Sequence, residues 1–189
     1  LLSAIAHSAA IAIENARLYR VAVEKGRMER ELQVARDLQA SLLPRTTPQV
    51  PGWEFAATWQ PARQTSGDYY DFFAAREGAV GLVIGDVSGK GMAAALFMAL
   101  TRSIVRASLT QPAPLAQAID HANRLICADA TGGMFVTLFC AEIRLVTGEV
   151  TYVNAGHNPP LLLSSGKEGH QPETLPPTGM ALGVLEDTA

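Results

Sequence analysis

From Ile5 to Leu43 the chain has no proline and only one glycine, Gly26, while Glu, Arg, Ala and Leu dominate. That composition predicts one long helix. Reading every seventh residue gives Leu18, Lys25, Leu32 and Gln39 at one position and Val21, Met28, Ala35 and Leu42 at another. This is a heptad seam with two polar members, Lys25 and Gln39, of the kind that lowers stability but sets register and strand number. Two readings stand: a dimeric coiled coil, or a helix packed on its own domain. At the usual rise per residue, a helix over 14–43 would be about 45 Å long, more than one small domain caps.

Pro44 ends that helix, and Pro48, Pro51 and Gly52 prevent its resuming, so a domain boundary is expected after Leu43. Beyond it, short apolar runs bounded by turn residues predict strands at Trp53–Trp59, Val80–Ile84, Phe135–Leu145, Val150–Val153 and Leu161–Leu163. Between them, apolar residues at three- and four-residue spacing predict helices over Met92–Leu109 and Leu115–Ala128, with Pro112 and Pro114 separating them. Thr147-Gly148 is a tight-turn signal between two of the strands. Strands, then two helices, then strands again predict an α+β fold with antiparallel hairpins.

Composition narrows the class. With 189 residues and 48% hydrophobic positions the chain can bury a core, which excludes general disorder. Fifteen Lys and Arg against 18 Asp and Glu leave a net charge of −3, with no basic footprint for nucleic acid. Cys127 and Cys140 are too isolated for a disulfide framework or a metal cluster, and read as buried thiols of a reducing cytoplasm. Leu1–Ile13 is interrupted by Ser3, His7 and Ser8 and stops at Glu14, short of the roughly 20 residues of a membrane span. It also lacks a secretory signal's basic start and cleavage site, so no membrane partner is expected. A first residue that is Leu and not Met suggests a piece of a longer protein.

Two acidic clusters carry the candidate chemistry: Ser66-Gly67-Asp68-Tyr69-Tyr70-Asp71, and Gly85-Asp86-Val87-Ser88-Gly89-Lys90-Gly91 directly after the apolar run Gly81-Leu82-Val83-Ile84. A carboxylate at a strand end, beside glycines that let backbone oxygens approach, suits a hard divalent cation such as Mg²⁺ or Mn²⁺. The alternative is that Asp86 caps the helix near Gly91 and Asp68 makes an ordinary Asx-turn. A phosphate loop fails at two positions, since Ile84 stands five residues before Gly89 and Gly91 follows Lys90. No Gly-x-Ser-x-Gly occurs either, which leaves no nucleophile elbow. His157, in Asn154-Ala155-Gly156-His157-Asn158-Pro159, reads as a proton shuttle or as a residue that hydrogen-bonds its own loop.

Five blocks in order carry a resemblance: Leu38-Gln39-Ala40-Ser41-Leu42-Leu43-Pro44, Pro61-Ala62-Arg63 through Gly67-Asp68-Tyr69-Tyr70-Asp71, Gly85 through Gly91, Gly133-Met134-Phe135-Val136-Thr137, and Asn154-Ala155-Gly156-His157. Over about residues 36–189 the chain resembles the SpoIIE/RsbU branch of the PPM metal-dependent serine/threonine phosphatases. The resemblance implies an antiparallel β-sandwich flanked by helices, with two Mn²⁺ or Mg²⁺ ions at the strand ends. It implies that Asp86 bridges both ions, that the Val87 carbonyl is a backbone ligand, and that Asp68 holds one ion directly or through water. Arg63, five residues before Asp68, matches an arginine that holds substrate phosphate in some members, for which a guanidinium fork is suited. In such a site water activated between two cations attacks phosphorus, and no protein nucleophile is needed.

The chain departs from the pattern at its C-terminal side. The family's later aspartates, one in an Asp-Gly turn, have no counterpart: the acids after His157 are Glu168, Glu173, Glu186 and Asp187, none in that context. About half of the metal shell is therefore expected here, and such a fragment would bind both ions weakly and act poorly alone. Ser66 stands where many members have Gly. Ala12-Ile13-Glu14-Asn15-Ala16-Arg17-Leu18-Tyr19, within Ala4–Tyr19, is similar to the last helix of a GAF sensor domain. The expected plan is a sensor end at 1–17, a coiled-coil linker at 18–43, and the N-terminal part of a phosphatase domain at 44–189. The expected function is bacterial signalling, as a cytoplasmic homodimer that dephosphorylates phosphoserine or phosphothreonine of a regulatory protein such as an anti-sigma-factor antagonist. Two alternatives stand beside it: a non-catalytic dimeric module that binds a partner, and an unrelated α+β domain whose acidic turns are capping devices.

Overall fold

The computed structural model describes residues 2–61, 64–76, 78–130, 132–163 and 172–186; Arg63, Glu168 and Asp187 lie outside the described residues. The proline-free N-terminal stretch forms one helix, α1 (Leu2–Leu42), which stops two residues before Pro44 as the missing N–H and the ring of proline require. The chain divides into two compact units, Leu1–Leu38 and Gln39–Ala189. In the first unit the seam residues Leu18, Val21 and Met28 are each more than half exposed. The ion pairs Lys25–Glu29 and Arg27–Glu31 lie along its surface, where such pairs contribute only a few tenths of a kcal/mol.

In the second unit, β1 (Asp68–Ala74) and β2 (Ala79–Val87) are followed by α2 (Met92–Leu109) and α3 (Leu115–Asp129), then by β3 (Val136–Arg144) and β4 (Val150–Ala155). These four strands form one antiparallel sheet in the order β1-β2-β3-β4. A short ribbon pairs β5 (Leu161–Leu162) with β6 (Glu173–Thr174). The class is the expected α+β, and the helices match the spans that their apolar spacing predicts to within a residue. Gly148, in the turn between β3 and β4, has φ 74°, a conformation that costs glycine nothing.

Helices α2 and α3 pack on each other, α2 against β1 and β2 and α3 against β4. The core between them is Tyr69, Phe73, Val83 and Val87 from the sheet with Met98, Val105, Ile119 and Ile126 from the helices, each 7% exposed or less. α2 is long and apolar enough to cross a membrane by length and composition, but its apolar side, with Ala94, Met98, Thr101 and Val105, is buried in this core.

Two departures from the sequence reading are informative. β1 is not among the strands that the apolar runs predict, yet Tyr69, Asp71 and Phe73 alternate inward with period two, and Asp71 is buried with them. Its burial is compensated by two arginines of α2: Arg106 donates from Nη1 at 2.7 Å and Arg102 from Nη2 at 3.0 Å. Trp53–Trp59, expected as a strand, has no ladder partner among the described residues. It is held through its indoles, Trp53 Nε1 donating to the Leu145 carbonyl and Trp59 Nε1 to that of Asp68.

Candidate metal centre

The inward alternation of Tyr69, Asp71 and Phe73 on β1, and of Val83 and Val87 on β2, turns Asp68 and Asp86 to the opposite, open face of the sheet. The register makes them direct cross-strand partners, Asp68 opposite Asp86, which places their β-carbons within about 5.5 Å. Both side chains are exposed there. Two carboxylates so close repel: partial desolvation first, then the negative charge of Asp68 and a hydrogen bond shared with it, push the pKa of Asp86 above its ordinary 3.8.

A third oxygen lies beside them. A β-carbon on Gly67 would sit 2.7 Å from the carbonyl oxygen of Val87, so only glycine fits against that carbonyl. Two carboxylates and one backbone carbonyl are hard oxygen donors, the set Mg²⁺ and Mn²⁺ take, and on that chemistry the residues fit a divalent cation. Among the described residues no cluster of three or more His, Cys, Asp or Glu side chains is positioned to hold a metal. Among these residues, two acids are what the fold brings together across β1 and β2. Arg63, the expected phosphate-holding residue, lies outside the described residues.

The capping alternative does not describe these acids. α2 begins at the N-cap Gly91 with no side-chain cap, and Asp68 is the first residue of a strand. The turn before it belongs to Ser66, whose hydroxyl accepts from the Asp68 N–H and donates to Asp68 Oδ2, both at 3.0 Å. Ser66 is itself clamped: Gln39 Nε2 donates to its carbonyl at 2.8 Å, and its N–H donates to Gln39 Oε1 at 3.2 Å. Gln39 also donates to the carbonyl of Ala95 and is 4% exposed. The heptad pattern made Gln39 a seam residue; in the structure it is a buried bracket of the second unit, because its amide pairs with backbone that only the tertiary fold brings near.

Next to the two acids stand Thr137 of β3 and His157 of the loop after β4. Thr137 is the register partner of Asp86, and its Oγ1 lies 2.9 Å from Nδ1 of His157 and 3.4 Å from the Asp86 carbonyl oxygen. Asn154, fully buried, accepts the His157 N–H at 2.8 Å and so fixes the turn. Gly156 has φ 68° in that turn, and a β-carbon on it would meet the Ala181 nitrogen at 3.0 Å. Burial lowers the pKa of His157, while the charge of Asp68 acts in the opposite direction. Asp68, Asp86 and His157 share one cleft of about 680 Å³, floored by Phe72 and Ile84 and flanked by Trp59. Thr137 and Gln39 are the site residues that spacing did not single out: the one needs the β2–β3 register, the other the docking of α1's last turn on the loop before β1.

The family model described as Stage II sporulation protein E (SpoIIE) matches residues 76–189, which include Asp86, Thr137 and His157 but not Asp68. Protein IcfG of Synechocystis is 32% identical over 88% of this chain and 30% of its own length. Phosphoserine phosphatase RsbU of Bacillus subtilis is 31% identical over 83% of this chain and 46% of its own. The chain thus spans less than half the length of these relatives. Among solved structures, the RsbU and RsbW domains of Rv1364c from Mycobacterium tuberculosis match at TM-score 0.57 and 26% identity, over 68% of this chain and 36% of that one. The SiaA-PP2C domain of Pseudomonas aeruginosa matches at TM-score 0.63 and 16% identity, over 84% and 64%, which speaks for the fold alone. With more than half of its length matched by the family model, this chain belongs to the SpoIIE family of PPM-type phosphatase domains.

Proposed function

We propose that this chain is part of a metal-dependent phosphoprotein phosphatase that acts on phosphoserine or phosphothreonine of a regulatory protein in bacterial signalling. The observation that carries the reading is the cross-strand pair Asp68–Asp86 next to the Val87 carbonyl, against which only a glycine fits at position 67. Asp68, Asp86 and Val87 hold the divalent ions, Mn²⁺ or Mg²⁺, two in the complete site, and such ions when bound supply an activated water and neutralise phosphoryl charge. The chain's own contribution is positional: Ser66 orients Asp68, Gln39 fixes Ser66, and Arg63 takes the substrate phosphate. The names of RsbU and RsbP, both phosphoserine phosphatases and 30–31% identical to this chain, support the substrate class. A magnesium complex of the fold neighbour RsbX supports the cofactor class. The partner is an anti-sigma-factor antagonist or a similar regulator.

The domain plan of sensor end, linker and phosphatase part goes with this reading, as does a homodimer through the exposed seam Leu18, Val21 and Met28. Two free thiols support a cytoplasmic location. The test is Mn²⁺-dependent hydrolysis of nitrophenyl phosphate by this chain and by the natural full-length protein, each beside Asp86→Asn. Turnover that the substitution abolishes supports the phosphatase. A second reading, a non-catalytic module that binds a partner protein, is favoured by the two-acid count among the described residues. Folded, metal-supplied full-length protein with no turnover would establish it instead.

A further inference from the structure

The Val87 carbonyl belongs to the same peptide unit as the Ser88 N–H. Among the described residues no peptide is cis, and in a planar trans unit the N–H and the carbonyl point in opposite directions. The Ser88 N–H donates to the Phe135 carbonyl at 2.8 Å, on the β3 side. The Val87 carbonyl is thereby turned to the β1 side, where a β-carbon on Gly67 would meet it at 2.7 Å. The Val87 N–H points the same way, 3.4 Å from the Gly67 carbonyl oxygen. β2 ends at Val87, and the last peptide of a ladder has no further rung of its own to hold its plane. Ser88 supplies one. With Val87 opposite Val136 in register, Ser88 and Phe135 stand where a hydrogen-bonded pair would follow, and the Phe135 N–H would return the bond to the Ser88 carbonyl. It donates instead to the Ser88 hydroxyl, at 3.0 Å. The hydroxyl takes the place of a backbone carbonyl, so the pair keeps two hydrogen bonds while the chain leaves the sheet through Gly89, at φ 89°, toward α2.

We propose that Ser88 is a positioning residue of the metal centre: its two bonds to Phe135 fix the plane of the Val87–Ser88 peptide and so hold the Val87 carbonyl on the side of Gly67 and Asp68 for a divalent cation. The inference rests on the reading that makes Val87 a metal ligand, and it adds the group that orients that ligand. A carbonyl already held in place needs no ordering when the ion binds, and losing such an outer partner typically weakens a metal site by about 10- to 100-fold. The coupling also runs the other way. A cation on the Val87 oxygen draws electrons from the peptide and makes the Ser88 N–H a stronger donor, so its bond to Phe135 tightens when the ion is bound.

The discriminating measurement is Mn²⁺ binding to the natural full-length protein, followed by the electron paramagnetic resonance signal of the free ion, which disappears on binding. Ser88→Ala removes the hydroxyl rung and is expected to weaken the binding of one Mn²⁺ by about 10-fold. Ser88→Thr keeps the hydroxyl and is expected to bind close to the wild-type level. Thermal melts in EDTA separate this from a purely structural role. A Ser88→Ala protein that binds Mn²⁺ as tightly as the wild type, whether or not it melts lower, would overturn the proposal while leaving the metal reading in place. A wild type that binds no Mn²⁺ would bring down both. A second readout needs no variant and is independent of variant folding: on adding Mg²⁺ to ¹⁵N-serine-labelled wild type, the Ser88 amide proton is expected to move downfield as its bond to Phe135 strengthens. A Ser88 amide that stays in place while Mg²⁺ binds would refute the assignment.

Discussion

With no cation beside it, the ionised Asp86 carboxylate opposes folding. Its pKa lies above the ordinary 3.8 because it is partly desolvated next to Asp68. A raised native pKa means a contribution to stability that is full below the ordinary value and lost as pH rises through the native one. At neutral pH without divalent ions the charge therefore weakens the chain, and Asp86→Asn is expected to raise Tm in EDTA. On the proposed metal reading the same substitution removes a ligand, so a Tm increase on adding Mn²⁺, expected in the wild type from binding to the native state only, is expected to vanish. Thermal melts with and without Mn²⁺ check both halves. A variant that melts lower in EDTA and still responds to Mn²⁺ would show that Asp86 is structural. Both carboxylates, and the glycines near them, were legible from residue type and local spacing. Thr137 was legible only as part of a family block, since its partner in Asp86 stands 51 residues away.

At the scale of elements, two polar devices join the helices to the sheet. Gln39, in the last turn of α1, satisfies both backbone groups of Ser66. Replacing it with leucine leaves those buried groups without partners, at a cost of about 2 kcal/mol, and loosens the loop that orients Asp68. Urea unfolding of Gln39→Leu is expected to show the first effect and weaker Mn²⁺ binding the second; an unchanged midpoint would mean that water replaces the amide. Asp71 ties β1 to α2 through Arg102, which is 13% exposed, and Arg106, which is about half exposed. Asp71→Ala strands the buried guanidinium and is expected to destabilise the chain by about 3 kcal/mol, most of it through Arg102 because the exposed pair is screened by solvent. Helix spans could be read from the sequence because apolar spacing and proline act locally. β1 could not, because its inward positions include an aspartate that makes sense only once two arginines of α2 stand behind it.

The whole molecule raises a question that one copy of α1 leaves open. Its first unit is a single helix with Leu18, Val21 and Met28 more than half exposed, and helices in water owe most of their stability to packing of an apolar face. Pairing with a second copy along this seam is the expected outcome. Val21→Glu with Met28→Glu should convert a dimer to a monomer in sedimentation equilibrium and lower the helix content; a wild type that is already monomeric would dismiss the seam. The structure also corrects where that seam ends. Gln39 and the residues after it belong to the second unit, so the heptad reading extended one step too far, to a glutamine that is buried against the Ser66 backbone instead of facing a partner helix.

The sequence by itself determined what is local: where α1 stops, the spans of α2 and α3, the hairpin at Gly148, the α+β class, and the acids able to bind a hard cation. These follow from periodicity, backbone chemistry and residue type within a few positions. Only the tertiary structure decided what depends on distant partners. Strand register set Asp68 against Asp86 and Asp86 against Thr137, close approach set Gly67 against the Val87 carbonyl, and the docking of Gln39 on Ser66 turned a seam residue into part of the site. A shift of one residue in any strand would turn its side chains to the other face. No reading along the chain specifies that register.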